Sequence, residues 1–323
     1  MKPLHMQGGL AEKQSAGLPQ SSVILAAHKV SASVELKAPG RITVVCGLEG
    51  AAILGLRKSR IATWSTSLYY LITHLRVVSA FTMREISTRY GRSPGGYIWA
   101  FIEPAAYIFI MSSLREAIGG FPPVGDSYVL FFATGYLAFM LYSGMSQYLA
   151  SSISANRNLM SYPTVAPIDA VVGRFLLQAL TSAVVSSVII SLSYLTSRHS
   201  VPIDWGLVAE ATVFAWLLAL GIALLNIVLF VKLPIYEKLF AVVSRPLLLL
   251  SGVFLIPSDL PHPMSDLLLD NPVTHVVIMF REGFYGEALA SGLDAWYLGT
   301  CSIVIFFLGL FAFTMWPVAR ERD

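Results

Sequence analysis

The chain has 323 residues, 55% of them apolar and 13% charged, with a mean hydropathy of +0.67 and a formal charge of +3. Soluble domains carry roughly 25% charged and about 45–50% apolar residues, so this composition excludes a water-dissolved monomer and a soluble enzyme domain. Two cysteines, Cys46 and Cys301, are too few for a disulfide framework and have no metal-ligand spacing.

Residues 1–60 lack a basic segment followed by a long apolar core, which argues against a cleavable secretory signal. Their best apolar stretch, Thr43–Leu56, is short and interrupted by Glu49. A span needs about 20 apolar residues, so residues 1–60 are expected to be a cytoplasmic, poorly ordered extension. A misassigned start upstream of the functional protein would also account for them.

Residues 61–96 are expected to hold an amphipathic interfacial helix and a linker. Leu68, Leu71, Ile72, Leu75, Val78, Ile86 and Tyr90 fall on one helical face, with Arg76 and Arg84 opposite. That pattern suits a helix in the headgroup plane with basic groups meeting anionic lipid; an amphipathic helix packed on a soluble partner shares it. Gly91 to Gly96, with Pro94, breaks the helix.

Residues 97–323 read as an all-α integral membrane domain of six transmembrane helices. The spans are Tyr97–Leu114, Ser127–Tyr148, Ile168–Ser197, Gly206–Val231, Lys238–Ile256 and Ala295–Trp316. Span one carries Glu103-Pro104, tolerable in lipid only where neighbours shield the carboxylate and satisfy the freed carbonyl. Seventeen Lys and Arg flank the spans on one side and three on the other. By the positive-inside rule both termini are cytoplasmic. The outer stretch Pro257–Asp294 is acidic except for the apolar run Val273–Phe280, too short to cross. It is expected to be amphipathic or re-entrant before the last span.

The chain has no Gly-x-x-x-x-Gly-Lys-Ser/Thr phosphate loop, no His-Glu-x-x-His and no Gly-x-Ser-x-Gly. Its six histidines are scattered, and Glu103 is the one carboxylate at depth. No catalytic residue and no metal site is expected. Arg174 and Arg245 lie near the starts of spans three and five, roughly 10 Å above the interface on the helical rise. Each either snorkels to the headgroups or faces inward to hold an anionic headgroup or phosphate.

Three segments in order resemble the permeases of capsular polysaccharide exporters, which are ABC-2 type transporters. The first is Arg84-Glu85-Ile86 with Thr88-Arg89-Tyr90-Gly91, Gly96-Tyr97-Ile98-Trp99-Ala100 and Glu103-Pro104. The second runs from Asn156, Arg157, Asn158 and Leu159 through Tyr162-Pro163 to Pro167-Ile168-Asp169. The third is Asn271-Pro272 with His275 and Arg281-Glu282. The likeness runs from about Thr66 to the C-terminus, and residues 1–60 depart from it.

The resemblance implies a homodimer in the bacterial inner membrane, bound to two ABC ATPase subunits that carry ATP and Mg; this chain itself carries no cofactor. It further implies periplasmic and outer-membrane polysaccharide export proteins as partners, contact with membrane lipid, and no nucleic acid. Ser154–Asp169 becomes the ATPase-coupling loop, and Asn271 to Glu282 the re-entrant segment. Aromatic faces bind sugar weakly, and Trp99, Tyr107, Tyr136 and Tyr142 in spans one and two are candidates for a glycan path. Exporters of lipid-linked O-antigen, teichoic acid or drugs share the superfamily, and a membrane scaffold or enzyme of envelope glycan synthesis is a reading from another class.

Overall fold

A computed structural model describes residues 32–36, 42–46, 72–89, 95–160, 165–197, 202–286 and 293–316. The chain divides into two units, residues 1–72 and 73–323. In the first, β1 (Ala32–Leu36) pairs antiparallel with β2 (Ile42–Cys46), with Val34 opposite Val44. The extension was expected to be poorly ordered, and this hairpin is the one element described there. The rest of Thr43–Leu56 lies outside the described residues.

The second unit is helical. After α1 (residues 72–89) come α2 (Trp99–Ile118), α3 (Tyr128–Ala150), the short α4 (Ser152–Ala155), α5 (Pro167–Thr196) and α6 (Trp205–Lys232). There follow α7 (Pro234–Leu247), α8 (Met264–Leu269), α9 (Pro272–Tyr285) and α10 (Ala295–Met315). Local chemistry sets the boundaries. Asp204 accepts from the Gly206 and Leu207 amides, Asn271 from Val273 and Asp294 from Tyr297, satisfying donors that a helix start leaves bare. Pro167, Pro234 and Pro272 open their helices, where a missing N–H costs nothing.

Among the described residues five helices are long and apolar enough to cross a membrane: Gly96–Ile118, Tyr128–Ala150, Pro167–Thr196, Trp205–Lys232 and Ala295–Met315. They coincide with five of the six expected spans. α3 is the enclosed centre, packed on α2, α5, α6 and α9, whereas α2 and α10 turn most of their surface outward. α6 and α10 cross backbone to backbone: a Cβ on Gly309 would lie 2.4 Å from the Gly221 carbonyl oxygen. Such close approach is how helices associate where lipid removes the hydrophobic drive.

The remaining expected span, Lys238–Ile256, is not one helix. α7 spans 14 residues, a 3-10 turn follows at Leu249–Ser251, and Gly252 turns left-handed at φ +68°. Pro246 near the end of α7 lacks the N–H that would continue the ladder, and glycine tolerates the reversed turn. The break frees backbone carbonyls, and α9 supplies the donors. Asn271 Nδ2 and Thr274 Oγ1 each reach the Leu250 oxygen at 3.1 Å. Arg281 donates to Gly252 O at 2.8 Å, Val253 O at 2.6 Å and Phe131 O at 3.4 Å, its guanidinium 4.0 Å from the Phe131 ring centroid. Arg281 is 1% exposed, and α3 makes room for it at Gly135, where a Cβ would fall 2.2 Å from Nη2.

Each buried acceptor left bare costs about 1–3 kcal/mol. Arg281→Met is therefore expected to lower the melting temperature of the detergent-solubilised protein and its level in the membrane severalfold. Arg281→Lys, which reaches fewer carbonyls, should fall between Met and the parent in the same thermal-unfolding assay.

Candidate functional site

Two features stand out, one where α3 ends and α5 begins, the other between α3, α6 and α7. At the first, α1 lies against the bundle with Val78, Phe81 and Glu85 buried, at spacing i, i+3, i+7. The expected apolar face is thus rotated: Leu75 is 65% exposed, and a carboxylate shares the buried face. The reason is a set of polar partners on α4 and α5. Glu85 forms an ion pair with Arg174 at 2.6 Å, both side chains buried. Arg174 also donates to Tyr148 O at 2.9 Å and Ser151 Oγ at 2.8 Å, and stacks 4.6 Å from the Tyr148 ring centroid. Arg89 approaches the same ring at 4.2 Å and donates to Gln178 Oε1 at 2.6 Å. His74 Nδ1 meets the Asp169 carboxylate at 3.0 Å, and Arg84 donates to Asn156 Oδ1.

Residues 156–160 and 165–169 flank the link between α4 and α5. Asn156 is buried and donates back to Ser152 O at 2.9 Å, whereas Arg157 and Asn158 in the following 3-10 turn are exposed. Leu159 and Pro167 are half-buried, and the Asp169 carboxylate accepts from the Ala166 amide at 3.0 Å. Tyr162 and Pro163 lie outside the described residues.

The second feature is a cavity of about 540 Å³ lined by Tyr136, Gln147, Phe230, Glu237, Phe240 and Arg245, among others. Tyr136 stacks on Tyr107 of α2, ring centroids 4.1 Å apart and planes 19° apart. Arg245 is exposed and forms part of the wall.

A model described as ABC-2 type transporter matches residues 76–285, from within α1 to the last residue of α9. The chain belongs to that family. It is a transport subunit. The capsule polysaccharide export inner-membrane protein CtrC of Neisseria meningitidis is 29% identical over 240 residues, 74% of this chain and 91% of that protein. The polysialic acid transport protein KpsM of Escherichia coli is 27% identical over 72% of this chain and 90% of its own length. For the capsule polysaccharide export inner-membrane protein BexB of Haemophilus influenzae the figures are 27%, 73% and 89%.

In this ABC-2 subunit the residues singled out from sequence separate into groups. Tyr107 and Tyr136 come together, and Tyr136 and Arg245 share a cavity. Tyr142 is buried in α3 away from that wall, and Trp99 is 57% exposed at the start of α2. Arg174 neither snorkels nor stands open to a headgroup, because Glu85 and the end of α3 occupy its guanidinium. In the third motif Asn271 caps α9, His275 is buried with Nε2 donating to Leu269 O at 2.7 Å, and Arg281 caps the broken strand of backbone. Glu282 is half-buried beside it. Sequence reasoning missed the roles of Glu85, Tyr148 and Gln178. The available signal was a carboxylate at the Val78–Phe81 spacing, an acid on an apolar face.

An offset aromatic stack contributes about 0.5–1.5 kcal/mol beyond burial. A double-mutant cycle on Tyr107→Ala and Tyr136→Ala, read by thermal unfolding in detergent, should return a coupling of that size; additive losses would separate the two rings energetically.

Proposed function

We propose that this chain is the permease of an ABC exporter that moves capsular or related surface polysaccharide, carried on a lipid anchor, across the bacterial inner membrane. The observation that carries the reading is the likeness to three inner-membrane proteins named for capsule or polysialic acid export, over 89–91% of their lengths. Five helices cross the membrane, and the broken segment from α7 to Ile256 makes a sixth crossing. An even number returns both termini to the cytoplasmic, Lys- and Arg-rich side. α8 and α9 then dip into the outer leaflet, their backbone satisfied inside the protein as lipid demands.

Two copies of the permease work together on two copies of a separate ATPase that binds ATP and Mg, with periplasmic and outer-membrane export proteins continuing the route. Residues 154–169 are the coupling segment, offering exposed Arg157 and Asn158 to a cleft on the ATPase. The conduit lies along the face of α2, α3 and α7 that bears Glu103, Tyr107, Tyr136 and Arg245. Glu103 is exposed on α2. A carboxylate facing hydrocarbon is costly, which favours a wet path or a second copy over it. Arg245 is suited to the anchor's phosphate, because its fork pairs bidentately with such oxygens.

Deletion of the gene should abolish surface polysaccharide and leave polymer inside the cell; unchanged surface polymer would remove the reading. Arg157→Glu is expected to reduce recovery of the ATPase in a pull-down and the activity of the purified complex. Normal values for both would detach the coupling role from this segment. Accessibility labelling at Asn158 from the periplasm would contradict the topology.

A further inference from the structure

α1 grips the segment between α3 and α5 at both of its ends. Arg84 donates to Asn156 at the near end, and His74 meets Asp169 at the far end. Beyond those ends it holds the two flanking helices. Glu85 pairs with Arg174 of α5, which in turn donates to Tyr148 O and Ser151 Oγ at the close of α3. Thr82 donates to Gly173 O at 3.3 Å, and a Cβ at Gly173 would come 3.1 Å from that of Phe81, so the helices touch closely there.

Val78 and Phe81 are the buried apolar side chains of α1 at this junction, beside the polar set. Apolar faces can slide past one another, whereas directed hydrogen bonds and a buried ion pair fix one register. Neighbouring residues of one helix, Arg84 and Glu85, therefore hold Asn156 and α5 in a single arrangement.

We propose that Arg84 and Glu85 are positioning residues for energy coupling. They join α1, the turn that starts at Asn156 and the first turns of α5 into one body, so that a push on Arg157 and Asn158 is delivered through α1 to α5. The inference rests on the exporter reading above. Rigid-body transfer of this kind is a common route from a local event to a larger shift.

The test compares parent, Glu85→Gln and Arg84→Gln permeases, each with its ATPase subunit. Three quantities are measured: recovery of the ATPase on affinity-tagged permease, ATP hydrolysis by the purified complex, and surface polysaccharide of cells at matched permease levels. Both variants should retain ATPase recovery and hydrolysis within about twofold while surface polymer falls tenfold or more. A merely structural role would lower the amount of permease and leave export per permease unchanged.

Glu85→Gln strips a buried arginine of its partner and can fail to accumulate. Arg84 is exposed, so Arg84→Gln then decides. Unchanged export in Arg84→Gln, or export and hydrolysis falling in the same proportion, overturns the proposal. A parent permease that recovers no ATPase would instead defeat the exporter reading, and that outcome is seen without any variant. As a second check, Arg84→Cys/Asn156→Cys in a background of Cys46→Ser and Cys301→Ser can be bridged on the purified complex by a short bis-methanethiosulfonate, each cysteine thiolate displacing methanesulfinate to form a reducible disulfide. If the bridge restores the parent's ATPase response to added cell-extracted polysaccharide and reduction removes it, the rigid link is supported. No difference between bridged and reduced states counts against it.

Discussion

Hydrocarbon offers no water to a broken helix, and that constraint governs the segment between α7 and α9. Where Gly252 reverses the backbone, carbonyls lose their ladder partners. Arg281 answers with one guanidinium spread over oxygens from Gly252, Val253 and Phe131, so a single side chain ties the break, α9 and α3 together. Its charge is met by backbone dipoles and an aromatic face. Placement depends on Gly135, whose missing side chain leaves the space the guanidinium fills.

α9 is held among α3, α6 and α10, and α3 packs in turn on α2, α5, α6 and α9. One side of α3 is sealed by α5, α6 and α9. Another carries Tyr136 against Tyr107 and opens on the cavity shared with α7. Its far end delivers Tyr148 between two arginines, where a ring face can meet cations that lipid would not. A helix whose ends and flanks have such different neighbours keeps the Tyr107–Tyr136 face and the α1 junction in fixed relation.

The five unbroken spans were legible because length and hydropathy suffice to mark them. The stretch 238–256 was read as one continuous helix for the same reason: Pro246 and Gly252 interrupt a helix without making it less greasy. The orientation of α1 was only partly legible. Apolar periodicity places Val78 correctly but ignores Glu85, whose burial is possible only because Arg174, far along the chain, waits opposite. Such pairings are invisible to composition. Arg174 itself was noticed as an intramembrane cation, and the ligand expected for it proved to be part of the same chain. Tyr107 and Tyr136 were chosen as aromatics of one region, but their stacking depends on the tilt of α2 against α3, which periodicity does not encode. The hairpin of β1 and β2 was missed because its strands are five residues each in a stretch with no wider pattern.

The bare contact of Gly221 with Gly309 has a mechanical corollary. Helices α6 and α10 meet with no side chain to act as a cushion, and at their foot the Lys232 ammonium rests 3.7 Å from the centre of the Trp316 ring. Stitched at midpoint and base, the two behave as a stiff strut. Only Leu233 separates that strut from α7, so the first turn of α7 starts from an anchored post.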